Sequence, residues 1–574
     1  MTRRGTVALR VGVVVASTAV IAGWLGIRAE QVRSHLLAAR SSLALLQNSE
    51  SAADPAAVRR ASATAGREVG AARAATRDPV WRVAGAVPVL GRTFTAAADL
   101  TEVADALVRG ALPPLVAASE AASARPPVQH GRVDLAQLEQ IDLYVSRAAT
   151  SLHRLSGQAA AVPRRGLPGV VLRRRDEFVA QVQDLDRGIS SAAAALDVAP
   201  GMLGAAGPRR YLVVVQNNAE SRATGGLIGA YAVVRADHGR LTRERVGTND
   251  DLHSAAHPVV DLGPDFAARY DQYASRRDWR AAGMTPDWPS AAAILTGLAK
   301  AQGGGVMDGV IGVDAPGMAE ILKATGPATI GDRSLGPGDV ADFVLRDEYT
   351  VYADNAHRKA ALAQLAAALF DSVTSGRASS SALATSFARA ASSGHLQVAS
   401  SHPTEEALLR RHRVGGALPS GPGGFVEVVT QNASGNKLDF YLRRSVEYQP
   451  TAPGTARLSV TINNTVTRPE SLPPVVVGRL DPDPQHALGE TKLILTLYAG
   501  VGRRFHRILV AGQAVPAEFG TEGGHGYVSV SVLVRPGSPL RVDADVDDPG
   551  GPVIYRQQPL VVDDRLVAGF SAED

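Results

Sequence analysis

A chain of 574 residues is too long for one hydrophobic core, so several domains are expected. Its 60 basic and 56 acidic residues leave a net charge of +4, and no basic block carries interleaved aromatics, which argues against a nucleic-acid partner. Cysteine is absent, which excludes disulfides, thiolate catalysis and Cys-ligated zinc.

The first ten residues, MTRRGTVALR, are basic, and Val11–Ile27 carries no charge. A run of about 17 residues is the short limit for a spanning helix, and Arg10 and Arg28 extend it by snorkelling. Residues 1–30 therefore read as a transmembrane anchor. The arginines before it predict a cytoplasmic N-terminus, a single pass through the cell membrane and an exported bulk. A cleaved signal peptide is the rival, and Arg3-Arg4 also permits a twin-arginine signal.

Residues 31–204 read as an α-helical bundle or stalk. Val32, Leu36, Ala39, Leu43 and Leu46 recur at helical spacing, as do Leu138, Ile141, Val145, Ala148, Leu152 and Leu155, and Phe178, Val182, Leu185, Ile189 and Ala192. Prolines punctuate these seams. Residues 205–412 interleave strand and helix signals, which predicts an α/β layered domain. From 424 to 574 strand follows strand. Leu458, Val460 and Ile462 alternate with polar residues, as do Val528, Val530 and Val532, the pattern of a C-terminal β-sandwich.

No enzyme signature is complete: there is no Gly-x-Ser-x-Gly elbow, no His-Glu-x-x-His and no phosphate loop. His253 and His257, four apart beside Asp250, Asp251 and Asp261, would face one way on a helix as metal ligands do, or lie solvated in a loop. The run DADVDD at 543–548 lacks EF-hand spacing and reads as a solvated strand end. The α/β region holds a richer set of charges. Arg222, Arg276, Arg277, Arg280, Arg346 and Arg358 are the residue type for bidentate phosphate recognition, and Asp278, Asp287 and Asp354 among them suit a hydrated Mg²⁺. Surface salt bridges are the alternative reading of the same residues.

One stretch stands out. QNNAESRATGGLIGAYAVV (216–234) puts Asn, Glu, Arg, Thr and a Gly pair between two apolar runs. Arg222 with the backbone of Thr224, Gly225 and Gly226 would form one end of a phosphate pocket. Equally, Asn217, Asn218 and Glu220 would simply hydrogen-bond the turn shut.

With RRDWRAAGMTPDWPSAA, DGVIGVDAPGMAEILKATGP and NASGNKLDFYLRRSVEY, this stretch resembles a bacterial domain-of-unknown-function family marked by Asn-Asn-Ala-Glu-x-Arg-x-Thr-Gly-Gly. The order of elements over residues 208–375 also resembles the LytR–CpsA–Psr family of exported, membrane-anchored phosphotransferases. That resemblance implies an α/β domain that binds or transfers a lipid-linked (polyprenyl-pyrophosphate) glycan. Asp250 and Asp354 would be the catalytic, metal-holding pair, with Mg²⁺ if the protein is enzymatic. Arg222, Gly225, Gly226, Arg346 and Arg358 would meet the phosphate. The sequence departs from that family's pattern: Thr224 stands where an Asp is expected, Asn249 where an Arg is expected, and Arg358 lies one residue late. The membrane and a cell-wall polymer are the implied partners. A non-catalytic envelope scaffold or adhesion protein is the alternative.

Overall fold

The computed structural model describes residues 24–25, 27–39, 41, 55–88, 91–124, 128–352, 354–421, 423–480 and 486–570. The chain divides into two compact units. One comprises Met1–Pro127, Ala136–Ala199 and Ser379–Ser381, and the other Val128–Leu135, Pro200–Ala378 and Ala382–Asp574.

The first unit is built of helices: residues 27–39, α1 (Pro55–Thr76), α2 (Pro79–Gly85), α3 (Gly91–Ala106), α4 (Leu112–Ser123), most of α5 (Leu135–Ala161) and most of α6 (Gly169–Met202). The expected stalk is corrected here. Ala39, Ala65, Val69, Val103, Leu107, Leu152, Leu155 and Val182 come from helices far apart in sequence and share one core. Breaks at prolines fold the chain back on itself; Asp78, for example, caps α2 by accepting from the Val80 N–H, with Pro79 at the first helical position. Val145, Ala148, Leu152 and Leu155 are buried, whereas Leu185 is exposed, and Leu43 and Leu46 lie outside the described residues.

The transmembrane expectation is also corrected. Among the described residues no helix is long and apolar enough to cross a membrane. Most of Val11–Ile27 lies outside the described residues, and the part that is described is tied to polar groups. The Trp24 indole donates to Asp78 at 3.4 Å. Arg28 donates to Asp78 at 3.0 Å and to Gln31 at 2.9 Å, with its guanidinium 4.6 Å over the Trp24 ring. Arg28 is thus committed within a helical unit rather than reaching for lipid headgroups. The single-pass, cell-membrane and extracytoplasmic assignments were drawn from that anchor, and the described residues give them no support.

The second unit begins with a short hairpin, β1 (Val128–Gln129) and β2 (Arg132–Val133). A mixed seven-stranded sheet follows from β3 (Arg209–Arg222), β4 (Gly225–Asp237), β5 (Arg240–Thr248), β6 (Gly309–Asp314) and, past the small β7–β8 hairpin (Ala328–Ile330, Arg333–Leu335), β9 (Leu396–Ser400). Its order is β1-β2-β5-β4-β3-β6-β9, with β3 parallel to β6 and antiparallel to β4. Tyr211–Val215, rich in Val, makes β3 a central strand, as β-branched residues favour a surface buried on both faces. Helices α7 (Pro264–Tyr270) and α8 (Trp288–Ala301) contribute to one core of this region. Helices α9 (Ala315–Thr325) and α10 (Asn355–Thr374) contribute to another.

From Gly424 the chain forms two further sheets. The strands are β10 (Gly424–Asn432), β11 (Leu442–Ala452), β12 (Thr455–Asn464), β13 (Thr491–Val501), β14 (Phe505–Val510), β15 (Gln513–Ala514), β16 (Glu518–Glu522), β17 (His525–Val534), β18 (Leu540–Asp547), β19 (Val553–Arg556) and β20 (Arg565–Ala568). They order as β16-β17-β13-β10-β19 and β15-β14-β18-β12-β11-β20. Val428, Leu495, Val528 and Val530 of the first sheet share one core with Val446, Leu458, Val460, Ile462 and Val542 of the second, the packing of a β-sandwich.

Candidate functional site

The 216–234 stretch lies almost wholly within strands. β3 continues to Arg222 and turns through Ala223-Thr224 into β4, so the motif forms the far end of a hairpin. Asn217 pairs with Leu227 and Ser221 with Gly226, which leaves Asn218, Ala219 and Glu220 bulged out of the ladder. Bulging frees their polar groups to bond elsewhere, and the β-sandwich region receives them.

Asn217 accepts from the Ala219 N–H at 2.9 Å and donates to the Tyr349 hydroxyl at 2.9 Å. Asn218 donates to Asp314 at 2.7 Å and to the Pro559 carbonyl at 3.1 Å. The Ser221 N–H and hydroxyl both donate to Asp439, at 2.9 and 2.5 Å. Asn432 donates to the other Asp439 oxygen at 2.9 Å. Gln558 donates to the Arg222 carbonyl at 3.0 Å and to that of Thr430 at 2.8 Å. Asn218, Ser221, Asp439 and Gln558 are all buried, so each of these bonds offsets a desolvation cost that would otherwise stand. Burial pushes the Asp439 carboxyl up to about 6, against the bonds from Ser221 and Asn432 that favour its charged form.

Arg222 is committed in the same seam. Its Nε donates to the Arg280 carbonyl at 3.0 Å, Nη1 to the carbonyls of Ser221 (2.9 Å) and Asn432 (3.3 Å), and Nη2 to Glu220 at 3.3 Å. Glu220 in turn forms a buried ion pair with Lys437. The glycine pair has a backbone reason. Gly225 sits at φ +135°, where a Cβ would also meet Gln216 Oε1 at 2.6 Å, and a Cβ on Gly226 would lie 2.0 Å from the Asn217 carbonyl oxygen. The Thr224 N–H donates to the Gly283 carbonyl, and Gly225 and Gly226 are ladder partners of Arg222 and Ser221, so these amides do not form an open anion nest.

The other expected site residues cluster in part at the N-terminus of α10. Asp354 caps that helix, accepting from the His357 N–H at 2.9 Å and lying 2.6 Å from its ring Nδ1. Arg358 stacks over the Tyr349 ring at 4.5 Å, and Lys359 pairs with Asp250. Arg346 instead binds Asp342 at 3.0 Å and Asp347 at 2.6 Å, with Phe440 beneath its guanidinium. Mg²⁺ requires several oxygen ligands in near-octahedral array. Asp354 spends its oxygens on a helix cap and a histidine, and Asp250 faces an ammonium, so this pair does not fit the role. Among the described residues no group of three or more acidic or histidine side chains is placed to hold a metal ion. His253 and His257 lie in an exposed loop. Asp543, Asp545 and Asp547 alternate along β18 and pair with Arg541, Arg457 and His506.

Residues 206–349 match a family described as proteins of unknown function, DUF4012. Comparison with curated proteins and with solved structures gave no match. The DUF4012 segment spans β3 to Tyr349 and so contains the motif hairpin but not its partners Asp439, Asn432 and Gln558. It brings no activity with it, and the LytR–CpsA–Psr resemblance finds no counterpart in it. The missed partners did leave a signal: Val429-Thr430-Gln431-Asn432 closes β10 much as Val214-Val215-Gln216-Asn217 sits in β3.

Glu348 was also missed. It is fully buried in the helical run before α10, its nearest cation is Arg358 at 3.9 Å, and neither carboxyl oxygen makes a geometrically sound hydrogen bond. Burial pushes it up to about 8, only partly opposed by Arg358 and Lys437. The folded pKa lies above the unfolded value, so between about pH 4.5 and 8 the folded state holds more proton than the unfolded one. Stability therefore falls as pH rises through that window. Glu348→Gln keeps the shape and removes the ionisation. The variant should melt above the parent at pH 8.5, by about 2–4 kcal/mol in stability, and match it near pH 4.5. Equal melting of the two proteins at both pH values would show that Glu348 ionises freely.

Proposed function

We propose that this chain is a non-catalytic scaffold in which the DUF4012 motif latches an α/β region to a β-sandwich. The observation that carries this reading is the engagement of Arg222: one side-chain oxygen and three backbone carbonyls take up its donors inside a buried polar seam. Asp250, Arg346, Asp354 and Arg358 each have partners within the chain as well. A fold of this class hosts many activities, and the partners these side chains find within the chain support a structural role for them.

The competing reading is a lipid-linked-glycan phosphotransferase, which needs free arginines on a pyrophosphate and carboxylates on Mg²⁺. The two separate in one experiment. The full chain is incubated with a polyprenyl-pyrophosphoryl saccharide and Mg²⁺, and release of prenyl phosphate is followed. No release is expected. Release that disappears in Asp250→Asn and Asp354→Asn would overturn the scaffold reading. Arg222→Ala should lower folding stability by about 2–3 kcal/mol, because carbonyls in the seam lose a charged donor. A ligand clamp would instead lose binding with folding intact.

A further inference from the structure

One end of the first, helical unit differs from the rest of its surface. Two connections meet there: α2 with the turn after it (residues 79–88) and the α5–α6 loop (residues 163–168). Contacts tie them together. Trp81 packs edge to face on Phe94 at 5.1 Å and donates to the Phe94 carbonyl at 3.0 Å, and the Gly91 N–H donates to the Val87 carbonyl at 2.8 Å. One residue on, the Arg92 side chain lies so close to Gly166 that a Cβ there would meet its Cδ at 2.9 Å. Arg175 clamps the loop from inside. It is buried and donates to the carbonyls of Ala160 at 2.6 Å and Val162 at 2.9 Å, which closes the open end of α5.

Two kinds of residue share this surface. Val83 is 70% exposed, Val170 63% and Val87 44%. Side chains so far out are protruding tips rather than the walls of a groove that a peptide would fill. Trp24, whose indole donates to Asp78 just before α2, is exposed at the same end. Beside them Arg82, Arg92, Arg165 and Arg173 are exposed and carry no ion pair among the described residues. The acids of the same segments are already neutralised: Asp78 pairs with Arg28, Asp176 with Arg164 and Glu177 with Arg174. The uncompensated charge is therefore positive.

This mixture selects an occupant. A second copy of the chain would set like charge against like charge. A soluble polyanion would answer the arginines and leave the valines in water. An anionic lipid surface answers both. The valines and the indole enter the boundary between headgroups and acyl chains, and the guanidiniums hold phosphate oxygens at headgroup level. We propose that this end of the helical unit docks on an anionic lipid surface, as a peripheral contact in which no helix crosses the layer. The contact uses the first unit alone, so it holds whether or not the motif acts as a latch.

The chain has no cysteine, so a single one can be introduced and labelled. Full-length Val170→Cys carrying a polarity-sensitive dye is titrated with vesicles of phosphatidylglycerol and phosphatidylcholine in equal parts, and with vesicles of phosphatidylcholine alone. The dye emission should shift to the blue with the anionic vesicles only, and Val83→Cys should behave alike. Leu143→Cys, exposed but about five turns away along α5, should not respond. Each arginine near an anionic surface is worth about fivefold in affinity, so adding Arg165→Glu and Arg173→Glu should weaken the response at least about tenfold. Raised salt should weaken it too. All the altered residues are exposed, so the variants should melt as the parent does. A dye at position 170 that stays in water while the chain sediments with the vesicles would overturn the proposal. So would a response untouched by the two charge reversals, or an equal shift with polyphosphate in place of vesicles.

Discussion

Gly226→Ala should destabilise the second unit by about 3 kcal/mol or more, an effect out of scale with one added methyl group. A Cβ there would sit 2.0 Å from the Asn217 carbonyl oxygen, 2.2 Å from its carbon and 2.7 Å from the Asn218 nitrogen. All three are backbone atoms, so no rotamer change can make room. The hairpin would have to open where Asn218–Glu220 bulge, and the bonds of Ser221 to Asp439 and of Asn218 to Asp314 would stretch with it. Gly229→Ala in the same strand is the control. Its nearest neighbours would be Leu362 Cδ1 at 3.8 Å and the Val215 carbonyl oxygen at 3.9 Å, ordinary contacts. That change should stay within about 1 kcal/mol, helped by the lower entropy of the unfolded chain. Urea unfolding followed by tryptophan fluorescence reads both, since Trp279 and Trp288 are buried in this unit. Equal midpoints for the two variants would mean that the strands do not approach as described.

The periodic parts of the chain were legible because burial imposes the period. Leu458, Val460 and Ile462 on β12 and Val528, Val530 and Val532 on β17 all point into one core. Leu152 and Leu155 do the same on α5, although the sequence could not say whether such a seam serves a long stalk or a compact unit. That depends on how prolines redirect helices, which is a long-range outcome. The motif's polar residues allowed two readings, one end of a phosphate pocket or a turn hydrogen-bonded shut. Their partners Asp439, Asn432 and Gln558 lie more than 200 residues away, and no local spacing links them to Ser221. The partners of the charged residues were out of reach for a related reason. Nothing near Asp250 in sequence announces Lys359, 109 residues later, which pairs with it.

Removing Arg444 should be the most damaging single change on the sandwich side of the seam. The residue is 2% exposed and Asp564 is fully buried. Nε and Nη2 of Arg444 donate to the two Asp564 oxygens at 2.6 Å each, Nη1 donates to Thr430 Oγ1 at 3.0 Å and Gln558 Oε1 at 2.9 Å, and Nη2 also reaches the Val428 carbonyl at 3.1 Å. Arg444→Met strands a carboxylate in the interior, which typically costs about 3–5 kcal/mol. Asp564→Leu strands the guanidinium and should cost a similar amount. Neither cost measures the worth of the pair, because each is dominated by the charge left behind. The double variant leaves no charge and replaces the pair with apolar volume, so it should recover much of the loss, with a coupling of about 2 kcal/mol or more across the cycle. The effect should also travel. Gln558, released from Arg444, holds the Arg222 carbonyl, so amide exchange at Ser221 and Arg222 should quicken in Arg444→Met before global unfolding does. Additive losses in the cycle, or exchange at the motif unchanged, would show that the ion pair and the motif are separate structures rather than one latch.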